Sequence, residues 1–147
     1  MNRVFVYGSL KKGLFLHWAL QHCKFLGTFD TGKFLDLLAV SEHAPFPIVT
    51  RGDFRVRGEV YEVDNELLHQ LDIIEGGYDR CHIMLDGIVG KVNIYMLPYR
   101  MKPECNFHKN VDLEENDVKV WNPPHQTQED LFASGLVKPA TQLVPIE

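Results

Sequence analysis

Apolar residues in this chain fall into short runs broken by Gly, Pro and Asp, a texture that favours strands over long helices. Residues 3–7 (RVFVY) form a β-branched and aromatic run ending at Gly8-Ser9, which predicts a buried strand entering a tight turn. After Gly13 the stretch LFLHWALQHCKFLG places Leu14, Trp18 and Gln21 at helical steps, with Leu16 and Leu20 one step round. That spacing predicts a short amphipathic helix closing near Gly27, part of its tail already strand. Four further runs (residues 25–29, 34–40, 48–49 and 56–63) have β-rich spacing. In the last of them polar and apolar residues largely alternate, and Gly58 predicts a bend or bulge.

Asp64 is a good N-cap for a helix carrying Leu67, Leu68, Leu71 and Ile74 on one face and stopped by Gly76-Gly77. Beyond it, residues 81–85 and 88–97 flank Asp86-Gly87, a strong hairpin signal. After Pro98 the periodicity weakens, and five of the eight prolines lie from Pro103 onward. Thr127 can cap one short helix through Leu131 and Phe132, ending at Gly135. The expected division is a core over residues 1–97 and a Pro-rich extension over 98–147 that packs on or covers it. Trp121, Leu131 and Phe132 are its expected anchors, and a partly ordered surface extension is the alternative.

Composition narrows the class of protein. A length of 147 residues suggests one domain, and 45% hydrophobic with 24% charged residues excludes disordered and collagen-like chains. The formal net charge is −5, and the basic cluster near the start is only Lys11 and Lys12, so direct duplex nucleic-acid binding is not expected. No apolar run approaches the ~18 residues of a membrane span, and the N-terminus lacks a basic, apolar, small-residue export pattern. Together these predict a cytoplasmic protein with no membrane partner. Cys23, Cys81 and Cys105 are odd in number and far apart, which reads as free thiols in a reducing compartment.

Most candidate chemistry fails on spacing. Gly8-Ser9-Leu10-Lys11-Lys12-Gly13 superficially resembles a phosphate loop, but Leu14 and Phe15 follow where Lys and Ser or Thr are needed. A dinucleotide fingerprint is absent, and Ser9 lacks the Gly-x-Ser-x-Gly elbow of a hydrolase. Cys81 and His82 are neighbours on an expected strand and point to opposite faces. The seven histidines show no metal-ligand spacing, so no metal is indicated. Two features remain. A strand ending in Gly8-Ser9 can turn consecutive backbone N–H groups toward an anion, with Gly supplying φ freedom and close approach. Glu75, in the last turn of the Asp64 helix, sits where the helix dipole disfavours an anion by about 0.3–1 kcal/mol. Partial burial there would raise its pKa and suit it to work as a general base.

Val4-Phe5-Val6-Tyr7-Gly8-Ser9-Leu10-Lys11-Lys12-Gly13 resembles the opening signature of the γ-glutamylcyclotransferase-like family, which includes γ-glutamylaminecyclotransferases and AIG2-like proteins. A second matching block is Gly58-Glu59-Val60-Tyr61-Glu62-Val63, followed by Leu71-Asp72-Ile73-Ile74-Glu75-Gly76-Gly77-Tyr78-Asp79-Arg80. Phe46-Pro47-Ile48-Val49 is similar to the family's aromatic-Pro-apolar strand. The resemblance extends to about Leu97; the stretch from Gly76 to Arg80 is shorter than in many members, and the tail matches no family pattern. It implies an α+β fold, a small twisted β-barrel flanked by helices. It also implies a substrate-binding loop at Tyr7, Gly8, Ser9 and Leu10, and a catalytic acid/base at Glu75. The implied activity is cyclotransfer, of transferase or lyase type and without a cofactor. The α-amine of a small-molecule γ-glutamyl substrate attacks its own γ-carbonyl, releasing 5-oxoproline and an amine. The alternative is a non-catalytic pocket domain that binds an acidic metabolite or a peptide end. The leaving amine and the oligomeric state are left open.

Overall fold

The computed structural model describes residues 1–8, 10–11, 17–39, 47–98 and 110–123. Nine strands and one α-helix are found among them: β1 (Asn2–Val6), β2 (Lys24–Asp30), β3 (Leu35–Ala39), β4 (Pro47–Arg51), β5 (Arg55–Val63), α1 (Asn65–Ile74), β6 (Asp79–Ile83), β7 (Val92–Met96), β8 (Val111–Glu114) and β9 (Val118–Trp121). The strand order is β6-β7-β1-β5-β9-β8, with β2 also on β5, and β3 and β4 pair separately as a hairpin. Contacts β1–β7 and β5–β9 are parallel and the rest antiparallel, so the sheet is mixed. The fold class is α+β, as expected. Closure into a barrel is not shown.

Strand β1 explains why the sheet has two cores. Its alternate residues point to opposite faces. Phe5 joins one buried cluster with Leu37, Val60, Ile94 and Trp121, while Val4 and Val6 join another with Leu20, Leu68 and Leu71. A strand buried on both sides reads as a continuous apolar run, and RVFVY is one. Helix α1 covers the second face through Leu68 and Leu71 and begins as its sequence indicates. The Asp64 carboxylate accepts from the Leu67 N–H at 2.7 Å, a cap worth about 1 kcal/mol.

Three local expectations change. Where an amphipathic helix is predicted after Gly13, the described part is a single 3₁₀ turn at His17–Ala19 followed by strand β2 from Lys24. Phe25 and Tyr61 are in ring contact across β2 and β5, so sheet pairing overrides the weak helical step of the sequence. The 79–96 hairpin forms, but its connection spans residues 84–91 because pairing ends at Ile83 with Val92. Asp86-Gly87 makes a turn inside that longer loop, with Ile88 N–H on the Leu85 carbonyl. Gly58 marks close approach instead of a bulge: a Cβ there would lie 2.5 Å from the Val6 carbonyl oxygen. The bulge lies in the partner strand, between Phe25 and Gly27. Beyond Leu97, β8 and β9 join the main sheet through β5, and Trp121 is buried in the first core. Leu131, Phe132 and the expected 127–135 helix lie outside the described residues.

Candidate active site

Helix α1 ends at Glu75, its C-cap (φ −91°, ψ 29°), whose N–H still donates to the Leu71 carbonyl at 2.8 Å. Gly77 then adopts φ 97°, a left-handed conformation that glycine takes without a Cβ penalty. The turn returns the Tyr78 N–H to the Glu75 carbonyl at 3.0 Å and launches β6. Glu75 is half-buried as a residue, but its carboxyl is shielded from water, and that desolvation pushes its pKa up to about 7. The negative end of the helix acts in the same direction.

Three phenols feel the charge of this carboxyl. Burial holds the Tyr7 hydroxyl well above its usual range, helped by the charges of Glu75 and Tyr78 and opposed by a Val49 backbone hydrogen bond. Burial and then Glu75 push Tyr78 up to about 12. Tyr95 rises chiefly through burial, then through its hydrogen bond to Asp72, with a smaller contribution from Glu75. At neutral pH all three are therefore neutral. Tyr7 donates to the Tyr95 carbonyl at 2.6 Å, and Tyr95 donates its own hydroxyl to Asp72 Oδ1 at 2.7 Å. Arg80 Nε lies 2.9 Å from the same oxygen.

The loop that follows β1 is held from several directions. The Gly8 carbonyl accepts from the Lys11 N–H at 2.9 Å, closing a turn. A Cβ on Gly8 would fall 2.5 Å from Pro47 Cγ, and the Gly8 φ is not left-handed. Glycine is needed here for close approach to β4, not for φ freedom, which corrects one half of the sequence argument. Leu10 is buried beside Val6, Leu20 and Tyr61, and its carbonyl accepts from His17 Nδ1 at 2.9 Å. Leu10 is thus tied up in core packing and can offer a ligand little more than backbone. Lys11 Nζ donates to the Trp121 carbonyl at 2.7 Å, which connects the loop to β9. Burial lowers the Lys11 pKa.

The structure thus brings Tyr7 and Glu75 into one desolvated group, with Gly8 adjoining. Ser9 lies outside the described residues. Sequence reasoning passed over Tyr78, Tyr95, Asp72 and Arg80. Asp72 was findable, since a residue three before Glu75 shares its helix face. Tyr95 carries no local signal, because only the β6–β7 register brings it there. Among the described residues no cluster of three or more His, Cys, Asp or Glu could hold a metal ion, and no helix is long and apolar enough to cross a membrane.

Residues 4–122 match the family described as gamma-glutamyl cyclotransferase, AIG2-like, so the match continues past Leu97. A Pyrococcus horikoshii protein with a provisional gamma-glutamylcyclotransferase name is 34% identical over 113 residues, 77% of this chain and 91% of that relative. The gamma-glutamylaminecyclotransferase of Bos taurus is 35% identical over 106 residues, covering 63% of this chain and 62% of the relative. The chain likewise spans 60% of the length of a Vibrio cholerae relative. The crystal structure of an AIG2-like protein from Mus musculus superposes with a TM-score of 0.62 at 28% identity, over 84% of this chain and 96% of the mouse chain.

Proposed function

The chain belongs to the gamma-glutamyl cyclotransferase, AIG2-like family, and from that premise we propose that it cyclises a γ-glutamyl amide to 5-oxoproline with release of an amine. The observation that carries this reading is the Glu75 carboxyl, desolvated to a pKa of about 7 among three neutral phenols. The α-amine of the substrate attacks its own γ-carbonyl carbon, so one C–N bond forms and the C–N bond to the leaving amine breaks. Tethering makes the attack unimolecular, which leaves the protein to fold the substrate and move protons. Glu75, ionised at the start, takes one proton of the α-ammonium and delivers it to the leaving nitrogen. The second proton, shed by the ring nitrogen as the lactam forms, passes by the same carboxylate to the released amine, which departs as its ammonium, and no water is consumed. A pKa near the working pH is what this double duty requires, because the group must both accept and release a proton.

Backbone N–H groups of the loop at Tyr7, Gly8, Ser9 and Leu10 supply the anion-binding part, holding a substrate carboxylate or the oxyanion. Preorganised donors of that kind contribute several kcal/mol in a desolvated site. The test is mass spectrometry for 5-oxoproline after incubation with γ-glutamyl amides of amino acids, ε-lysine and polyamines. Release from any of them supports the enzyme. Saturable binding across the panel without release would instead favour a binding domain.

A further inference from the structure

Glu75 is held by the helix only through its own N–H, on the Leu71 carbonyl: its φ and ψ have left the helical range, and the last turn of a helix is where fraying starts. Asp72, three residues earlier, supplies a tether from outside the helix. Its Oδ1 accepts from Arg80 Nε of β6 at 2.9 Å and from the Tyr95 hydroxyl of β7 at 2.7 Å. Arg80 Nη1 in turn donates to Asn93 Oδ1 at 3.0 Å, and Asn93 Nδ2 donates to the Arg3 carbonyl of β1 at 2.9 Å. The Tyr95 carbonyl receives the Tyr7 hydroxyl. One hydrogen-bonded chain therefore connects the end of α1 with β6, β7 and β1, and reaches the residue that opens the anion-binding loop. The Asp72 and Arg80 side chains are 34% and 35% exposed, and an ion pair that open to water adds little stability. The bond pattern is better explained by placement than by folding energy.

We propose that Asp72 is the positioning residue for Glu75: by holding Arg80 and Tyr95 it fixes the end of α1, and hence the Glu75 carboxyl, relative to the loop after β1. The proposal rests on the reading of Glu75 as the acid–base group. Among the described residues, the titratable groups that face Glu75 are the phenols of Tyr7, Tyr78 and Tyr95, neutral near pH 7, with Asp72 and Arg80 behind Tyr95. Releasing the tether lets water reach the carboxyl, so its titration midpoint moves down from about 7.

The test compares Asp72→Ala with Asp72→Asn in the full chain. Both remove the charge, but Asn keeps an oxygen that can accept from Tyr95, so any difference between them reports geometry. Two readouts are taken: 5-oxoproline release from γ-glutamyl-ε-lysine across pH, and the midpoint of the Glu75 carboxyl by ¹³C NMR, assigned with Glu75→Gln and independent of turnover. The expected result for Asp72→Ala is a kcat lower by roughly 10–100-fold with KM changed far less, the scale of an ångström of misplacement. Its Glu75 midpoint falls well below that of the parent, and Asp72→Asn recovers most of both. If Asp72→Ala does not fold, Tyr95→Phe, which removes one bond of the tether, must lower the midpoint and kcat together. A drop in Tm with midpoint and kcat unchanged would overturn the proposal, as would equal effects of Ala and Asn. Normal turnover by Glu75→Gln would remove the underlying reading itself, whereas an inactive Glu75→Gln beside a normal Asp72→Ala would remove only the positioning role.

Discussion

Arg57 and Glu75 lie in two regions rich in charge, and their surroundings treat that charge in opposite ways. Arg57 occupies an open cleft of about 840 Å³ lined by Asp30, Arg55, Asp86 and Glu114 among others. Its guanidinium donates to Asp30 at 2.8 and 3.2 Å and to Glu114 at 2.6 Å, and these bonds hold its pKa above the usual arginine value. Every partner is about one-third or more exposed, so the charges are both paired and hydrated. The setting of Glu75 is of another kind. It has a desolvated carboxyl at the negative end of a helix, beside phenols that its own charge perturbs. Size and charge density describe the first region, but a titration near neutrality marks the second, and only that property is useful for moving protons at physiological pH.

The β8–β9 pair serves both regions, which makes its removal the most severe test of the comparison. β8 supplies Glu114 to the cleft, while β9 buries Trp121 and offers its carbonyl to Lys11 in the loop after β1. Losing a buried Trp alone costs roughly 3–5 kcal/mol, against a total stability of about 5–15 for a typical domain. A chain truncated after Leu97 is therefore expected to unfold or aggregate, as followed by circular dichroism. A soluble, cooperatively folding and fully active 1–97 fragment would show that these strands matter to neither region.

Next in size is the contrast within the loop after β1. In Gly8→Val the new side chain meets Pro47, whose ring Cγ would sit 2.5 Å from the added Cβ. Such overpacking costs about 1–3 kcal/mol and displaces the loop, so activity should fall by roughly 10²-fold or more. Ser9→Ala should remain within ~1–2 kcal/mol of the parent barrier, the scale of one hydrogen bond. Kinetics on both variants, with circular dichroism to monitor folding, decide the matter, and the reverse order of damage would favour a serine nucleophile.

The desolvation of Glu75 also predicts a stability cost with a definite sign. Its folded pKa of about 7 lies above the usual glutamate value, so the native state binds the proton more tightly than the unfolded chain. Stability from this group is fully present below about pH 4 and is lost as pH rises through 7, by about 2–4 kcal/mol. Glu75→Gln should thus raise Tm relative to the parent at pH 8 and scarcely change it at pH 4. Equal Tm differences at both pH values would mean that the carboxyl is not desolvated. At the small end, Arg57→Ala should cost no more than the 0.2–1 kcal/mol typical of each exposed pair. Its kcat should match the parent; a large kcat loss would mean that the cleft, too, belongs to the chemistry.

What the sequence made legible follows from the range of the interactions involved. Strand β1, the alternating β5 and the Asp64-capped α1 are visible because period and capping are local properties. Glu75 and the Gly8 turn are visible for the same reason, being the end of one element and the exit of another. The three phenols are not. Tyr7, Tyr78 and Tyr95 come together only through the pairing of β6 with β7 and of β7 with β1. Glycines show the limit well: Gly8 and Gly58 are both recognisable as special, but the Pro47 ring and the Val6 carbonyl that require them are distant in sequence. The 3₁₀ turn at His17–Ala19 and the long 84–91 loop reflect tertiary pairing that overrides a weak local pattern.

The central claim is that Glu75 carries the proton, and turnover by Glu75→Gln tests it most directly. With a γ-glutamyl amide that the parent cyclises, kcat/KM of the parent should rise with pH through an acid limb near 7, where Glu75 ionises. The Gln variant should remain folded and bind that amide with similar affinity. It should release 5-oxoproline more slowly by the ~10²–10⁴-fold that general acid–base catalysis contributes, and it should lack the acid limb. Near-normal release by the Gln variant, with the limb intact, would contradict the account.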